Sequence, residues 1–191
     1  AALVAGAKDT ALAIKNYIDE RRIEAELRKS GCLGICNNEP VVSIQLPGRN
    51  RLAFGGIRPD DVPALLDDVM HNIVPESKLI GQFSSDDLKA WSKVPYINEL
   101  PFFKKQTRHI LKDCGIIDPY SIEEYIARDG YKAFLKTIKH YTYSEICDIV
   151  EESGLRGRSG SGYSTGKKWK IAYHTPSDQK YLICNAEESD P

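Results

Sequence analysis

The sequence predicts an α/β protein in two parts. A helix, a cysteine loop, two short strands and a second helix follow one another over residues 1–74. Two S/T-x-x-E helix starts, a glycine-rich basic loop and an apolar strand occupy residues 106–191. Between them, residues 75–105 carry Pro75, Pro95 and Pro101 without a sustained hydrophobic period. That pattern reads as an extended connector, with a short helix at 85–92.

The first helix is expected over residues 7–28, where Ala11, Ile14, Tyr17, Ile18 and Ala25 recur at helical spacing. Cys32-Leu-Gly-Ile-Cys36 follows Gly31. Residues 41–46 alternate as a strand does, Pro47-Gly48-Arg49-Asn50 reads as a turn, and residues 51–54 form the returning strand. Pro59 stands where a first-turn proline belongs, and Val62, Leu65, Leu66, Val69 and Met70 make one face of the helix it starts. In the third stretch, residues 106–115 read as extended. Ser121-Ile-Glu-Glu124 and Thr142-Tyr-Ser-Glu145 are capping boxes, and the second helix stops at Gly154, a residue suited to the position after a helix. Residues 180–185 read as a buried strand.

Composition narrows the function classes. The 191 residues hold 26 Lys and Arg against 27 Asp and Glu, a formal charge of −1. Binding to nucleic acid through bulk charge needs a strongly basic domain, so that class is disfavoured. No run approaches the ~18 apolar residues of a membrane span. Residues 1–6 lack the basic flank of a signal peptide. Five cysteines, an odd number, fit reduced thiols or metal ligands better than a secreted disulfide framework. The expected compartment is cytoplasmic, and both ends of the chain read as cut.

The stretch from Gly154 to Trp169 is the most informative. Its five glycines, with Ser and Thr between them, let backbone N–H groups approach a ligand. From Gly154 to Thr175 there are five cations, Arg156, Arg158, Lys167, Lys168 and Lys170, and no carboxylate. Such a segment suits a phosphate-bearing ligand, although a flexible surface loop has the same composition. It is not a Walker A loop, because Lys167 is followed by Lys168 rather than Ser or Thr. Nor is it a dinucleotide fingerprint, since a helix rather than a strand precedes it. Asn185-Ala-Glu-Glu-Ser-Asp-Pro191 puts acids at the exit of the expected strand, where α/β proteins place ligands.

Together, GLRGRSGSGYSTGKKW and YLICNAEESDP resemble the signature of the flavin- and NADH-binding subunit of respiratory complex I. The same module occurs in NAD-dependent formate dehydrogenases and in NAD-reducing or electron-bifurcating hydrogenases. Cys114-Gly-Ile-Ile-Asp-Pro119 and the segment from Ile122 to Tyr131 are similar to that family too, so the resemblance runs over residues 101–191. It implies an NADH-oxidising or NAD-reducing oxidoreductase subunit that exchanges hydride between nicotinamide and FMN. Electrons would pass on to iron–sulfur centres of a multisubunit complex.

By this resemblance Gly157, Arg158, Gly160, Gly162, Thr165 and Gly166 line the nucleotide site, and Tyr163 stands where the family has a nicotinamide-stacking Phe. Lys168, Asn185, Glu187 and Glu188 contact FMN, and Asp190 lies near the nicotinamide amide. Ser159, Ser161 and Ser164 replace the family's Gly, Ala and Pro; Glu187 replaces an Asp and Ser189 a Gly. Implied partners are other redox subunits and the nicotinamide nucleotide, with no nucleic acid and no membrane insertion. The family continues with the rest of the flavin pocket and a four-cysteine 4Fe–4S site, so this stretch alone should hold FMN weakly. A catalytically silent scaffold that docks redox subunits is the alternative.

The segment from Gly31 to Val42 resembles the second half of a thioredoxin-like 2Fe–2S ferredoxin, a fold fused to the flavin module in several of these subunits. The implied fold is therefore a degenerate or truncated thioredoxin-like domain (1–74), a linker (75–105) and the amino-terminal part of an FMN-binding domain (106–191). Cys32 and Cys36 would ligate one iron, but a 2Fe–2S cluster needs four donors. Ala2 occupies the position of the family's second cysteine. A cluster, a clusterless adaptor, and a redox disulfide or other metal all stay open. Cys114, Cys147 and Cys184 read as structural, and His71, His109, His140 and His174 have no ligand spacing.

Overall fold

The computed structural model describes residues 1–158, 160–181, 183 and 185. The fold is mixed α/β, and the chain divides into two compact units, Ala1–Glu124 and Tyr125–Pro191.

The first unit opens with α1 (Ala7–Arg21), shorter than the periodicity predicts. Its end is a Schellman turn built on arginine. Arg22 takes the left-handed conformation (φ 53°), its N–H reaches Asp19 O, and the Ile23 N–H reaches Ile18 O at 3.0 Å. Ile23 then packs against the core instead of continuing the helix.

Three strands form the sheet: β1 (Val42–Ile44), β2 (Leu52–Phe54) and β3 (Leu79–Gln82), in the order β1-β2-β3 with both pairs antiparallel. Alternation along β2 divides the interior. Leu52 and Phe54 join one apolar cluster with Ile14, Tyr17, Val62, Leu65 and Val69. Ala53, from the other face, joins Leu33, Ile35, Ile97 and Phe103. All three β2 side chains are fully buried, and each large one contributes roughly 2 kcal/mol. A 3₁₀ turn at Pro59–Asp61 leads into α2 (Val62–Met70), as Pro59 leads one to expect. Thr10 Oγ1 donates to Ile57 O at 2.9 Å, and Tyr17 donates to Asp67 on α2 at 2.7 Å.

Residues 75–105 are more than a connector. They supply β3, and Trp91 and Val94 sit in the first cluster, while no helix forms at 85–92. Gln82 organises this region from a buried position. Its Nε2 donates to Trp91 O (3.0 Å) and Val94 O (2.7 Å), and its Oε1 accepts from the Trp91 N–H (2.8 Å) and Asn50 Nδ2 (3.2 Å). Trp91 Nε1 donates to Asn50 O at 2.8 Å. Gly81 lets β3 approach Pro95, whose carbonyl oxygen would lie 2.6 Å from an added Cβ. Residues 106–108 have no regular structure and 110–115 are turns, so no strand forms there, and Arg51 donates to Gly115 O at 2.9 Å.

α3 (Pro101–Lys104) precedes these turns, and α4 (Ile122–Ala127) crosses the boundary between units. The first capping box is half realised. Ser121 Oγ accepts from the Glu124 N–H at 3.2 Å, while the Glu124 carboxylate accepts from the Asp118 N–H instead. In the second unit α5 (Lys132–His140), α6 (Tyr143–Glu152) and α7 (Thr165–His174) follow. The strand expected at 180–185 does not form at its described residues. Lys180, Tyr181, Ile183 and Asn185 have no regular structure, and Tyr181 and Ile183 are 81% and 91% exposed. An isolated apolar segment gains nothing from strand geometry without a neighbour to pair with. Among the described residues, no helix is long and apolar enough to cross a membrane.

Candidate nucleotide site

The loop is held between two capped helices. At the start of α6 the Thr142 box is complete: Thr142 Oγ1 accepts from the Glu145 N–H, and the Glu145 carboxylate accepts the Thr142 N–H at 2.7 Å. Hydrogen bonds from the Thr142 backbone and side chain hold the Glu145 carboxyl below the usual carboxylate range. Gly154, at φ 70°, ends α6 and reverses the chain. The loop then closes on itself. The Thr165 N–H donates to Leu155 O and the Gly157 N–H to Tyr163 O, both at 2.9 Å, around an antiparallel bridge between Arg156 and Ser164. Arg156 also donates across the loop to Gly162 O at 3.2 Å. Gly162, at φ 54°, makes the turn that this closure requires.

Ser164 accepts from the Lys167 N–H at 3.4 Å and caps α7. Replacing it with alanine should cost about 1 kcal/mol, read as a lower urea midpoint for the second unit. Gly166 in the first turn of α7 is buried against α6, and an added Cβ would lie 2.3 Å from Glu151 Cα and N.

This packing redistributes the charge that the sequence concentrates. Lys170 pairs with Asp148 at 2.6 Å and with Glu151, and hydrogen bonds to these acids raise its pKa well above the ordinary lysine value. Arg156 serves the loop backbone. Arg158, Lys167 and Lys168 remain exposed and form no ion pair among the described residues. Lys167 and Lys168 lie in the first turn of α7, at the positive end of its dipole, which favours anions. Space is open there: nothing lies within 4 Å of a Cβ built at Gly160 or Gly162. Three cations, a helix amino terminus and an open glycine edge fit the phosphate of a nucleotide such as FMN.

The cysteine loop lies in the first unit. Leu33 and Ile35 are buried, while Cys32 and Cys36 are exposed free thiols with Sγ atoms 4.0 Å apart. The Gly34 N–H lies 3.2 Å from Cys32 Sγ. Partial burial pushes the Cys32 thiol up, against the opposing Gly34 N–H, and the nearby Glu39 carboxylate adds to the rise. Among the described residues no group of three or more His, Cys, Asp or Glu side chains is placed to hold a metal. Cys32 and Cys36 are two of the four donors that a 2Fe–2S cluster takes, and Ala2 stands where the resemblance places another. Cys147 is buried, Cys114 is half-buried, and all four histidines are exposed.

Residues 150–191 match the Nuo51 FMN-binding domain. This chain resembles the flavoprotein subunits of complex I. The NADP-reducing hydrogenase subunit HndC of Solidesulfovibrio fructosivorans is 51% identical over 88 residues, covering 46% of this chain and 18% of the relative. An NADH-quinone oxidoreductase subunit of Rhizobium meliloti is 40% identical over 82 residues, with 43% and 20% covered. An NADH-quinone oxidoreductase subunit of Aquifex aeolicus is 49% identical over 72 residues, with 38% and 16% covered. The matched stretch thus spans a fifth or less of each of these relatives.

Against this flavoprotein pattern, Gly157, Arg158, Gly160, Gly162, Tyr163, Thr165, Gly166 and Lys168 all fall on the loop and the first turn of α7. Their roles differ. Gly166 packs helix against helix, and the Thr165 N–H is already bonded within the loop. Tyr163 is half exposed, and Gly157, Arg158, Gly160 and Lys168 face solvent. Asn185 is exposed in irregular chain; Glu187, Glu188 and Asp190 lie outside the described residues, as do Ser159, Ser189 and Cys184. Ser164, in place of the family's proline, gains a cap that proline lacks the side-chain oxygen to make. The sequence reading missed that cap, although a serine before a helical run is its usual signal.

Proposed function

We propose that this chain is part of an NADH-oxidising or NAD-reducing flavoprotein subunit, and that residues 154–168 form the edge of its FMN and nicotinamide-nucleotide site. The observation that carries this reading is the self-bonded glycine loop opening onto the capped start of α7. FMN, when bound, would accept hydride from the nicotinamide and pass electrons singly to iron–sulfur centres. The chain's own residues bind and orient. Arg158 and Lys168 neutralise phosphate, the Gly160 and Gly162 backbone allows close approach, and the Tyr163 ring offers a face to the nicotinamide. Asn185, Glu187, Glu188 and Asp190 would supply the hydrogen bonds to ring, hydroxyl and amide groups.

In this reading residues 1–74 form a thioredoxin-like adaptor, 75–105 complete its sheet with β3 and lead on to the flavin module, and 106–191 begin that module. The partners are iron–sulfur subunits of a cytoplasmic redox complex, peripheral to any membrane. That the relatives are named as subunits of a hydrogenase and of NADH-quinone oxidoreductases supports partner subunits in general. The test uses the complete reading frame that contains this chain. The purified protein should release FMN on denaturation and oxidise NADH with an artificial acceptor. Arg158→Ala with Lys168→Ala should weaken nucleotide binding by a factor of ten or more, about 1.4 kcal/mol or greater. A well-folded protein with neither flavin nor activity would favour the silent scaffold.

A further inference from the structure

The backbone of the cysteine loop is fixed from both sides of the pair. Leu33 and Ile35 anchor it in the second apolar cluster. Beyond Cys36, the Gly56 N–H donates to Asn38 O at 2.6 Å, and Gly55 packs so closely on Asn38 that an added Cβ would lie 2.9 Å from the Asn38 Cβ. Gly34, at φ 95°, turns the chain between the cysteines. Cys32 and Cys36 are thus presented outward from a rigid loop, as free thiols with Sγ atoms 4.0 Å apart. A disulfide needs about 2 Å between sulfurs. The sulfurs are therefore about 2 Å beyond bonding distance, and both cysteines are exposed.

We propose that Cys32 and Cys36 are a reversible dithiol–disulfide site, oxidised by exchange with a low-molecular-weight disulfide. One cysteine thiolate attacks that disulfide, forms a mixed disulfide and releases one small thiolate. The second cysteine thiolate attacks the protein-bound sulfur, the Cys32–Cys36 bond forms, and the second small thiolate leaves. Two electrons pass from the pair to the small disulfide, and the two cysteine protons end on the two small thiols. Cys147 is buried and Cys114 half-buried, so Cys32 and Cys36 are the most exposed of the described cysteines. The inference does not depend on the flavin reading.

The test equilibrates the chain with oxidised and reduced glutathione over a range of ratios. Acid quenching, maleimide labelling and peptide mass mapping then read the thiols. Cys32 and Cys36 should lose labelling together and almost completely, in one peptide lacking two hydrogens, and dithiothreitol should restore both. Cys32→Ser should leave Cys36 either labelled or carrying glutathione, with no internal bond. Both thiols staying labelled at ratios that oxidise a reference dithiol would overturn the proposal. So would two separate glutathione adducts, a bond from either cysteine to Cys114, or stoichiometric iron and acid-labile sulfide on the pair as purified.

Discussion

Replacing Gly166 with alanine should destabilise the second unit by about 2 kcal/mol, even though alanine is the better helix former. The added methyl gains about 1 kcal/mol in helix propensity. Against this, it would sit 2.3 Å from the Cα and N of Glu151, and those atoms belong to the backbone of α6. A side chain could swing aside; a helix backbone moves only as a whole. Overpacking a close contact costs about 1–3 kcal/mol, and a rigid neighbour puts the cost at or above the upper end of that range. Parting α6 from α7 would also stretch the Lys170 pairs with Asp148 and Glu151. Gly160→Ala is the matched control, because nothing lies within 4 Å of its added Cβ. It should change stability by no more than about 0.5 kcal/mol. Urea titration in a Trp91→Phe background leaves Trp169 as the sole tryptophan reporter for the second unit. Equal midpoints for the Gly166 and Gly160 variants would mean that the two helices do not pack as described.

Gln82→Leu should cost the first unit about 3–5 kcal/mol. Leucine keeps the bulk of glutamine but strips partners from the Trp91 N–H, Trp91 O and Val94 O. Each buried polar group left without a partner costs about 1–3 kcal/mol. The Asn50 Nδ2 group also loses its acceptor, in a side chain that is almost fully buried. Unfolding followed by Trp91 emission in a Trp169→Phe background measures this directly. A loss below about 1 kcal/mol would show that Gln82 does not hold residues 91–94 to β3.

These two positions mark where the sequence could be read and where it could not. Local chemistry was legible. Pro59 started its helix, Thr142 and Glu145 made a complete capping box, and Gly154 ended α6. Each signal lies within four residues of its effect. The end of α1 was hidden because the left-handed residue is Arg22 rather than glycine, so the periodicity ran on past it. β3 was hidden among prolines; its pairing with β2 and the Gln82 clamp on residues 91–94 depend on partners distant in sequence. The same distinction applies to the site. The glycine loop was visible as composition. Lys170 counted as a free cation until its acids, 19 and 22 residues earlier on α6, came beside it in the fold. Gly166, which the resemblance puts in the nucleotide site, also packs α7 against α6, a contact that no local signal announces.

The functional reading turns on contact between the loop after α6 and a phosphate-bearing nucleotide. Amide chemical-shift mapping of the isotope-labelled chain, titrated with FMN and separately with NADH, reads that contact residue by residue and detects weak binding. Saturable shifts should concentrate on Gly157, Arg158, Gly160, Gly162 and the first turn of α7, and should be lost in Arg158→Ala with Lys168→Ala. Saturable shifts confined to the first unit, or none on the loop at millimolar ligand, would refute it.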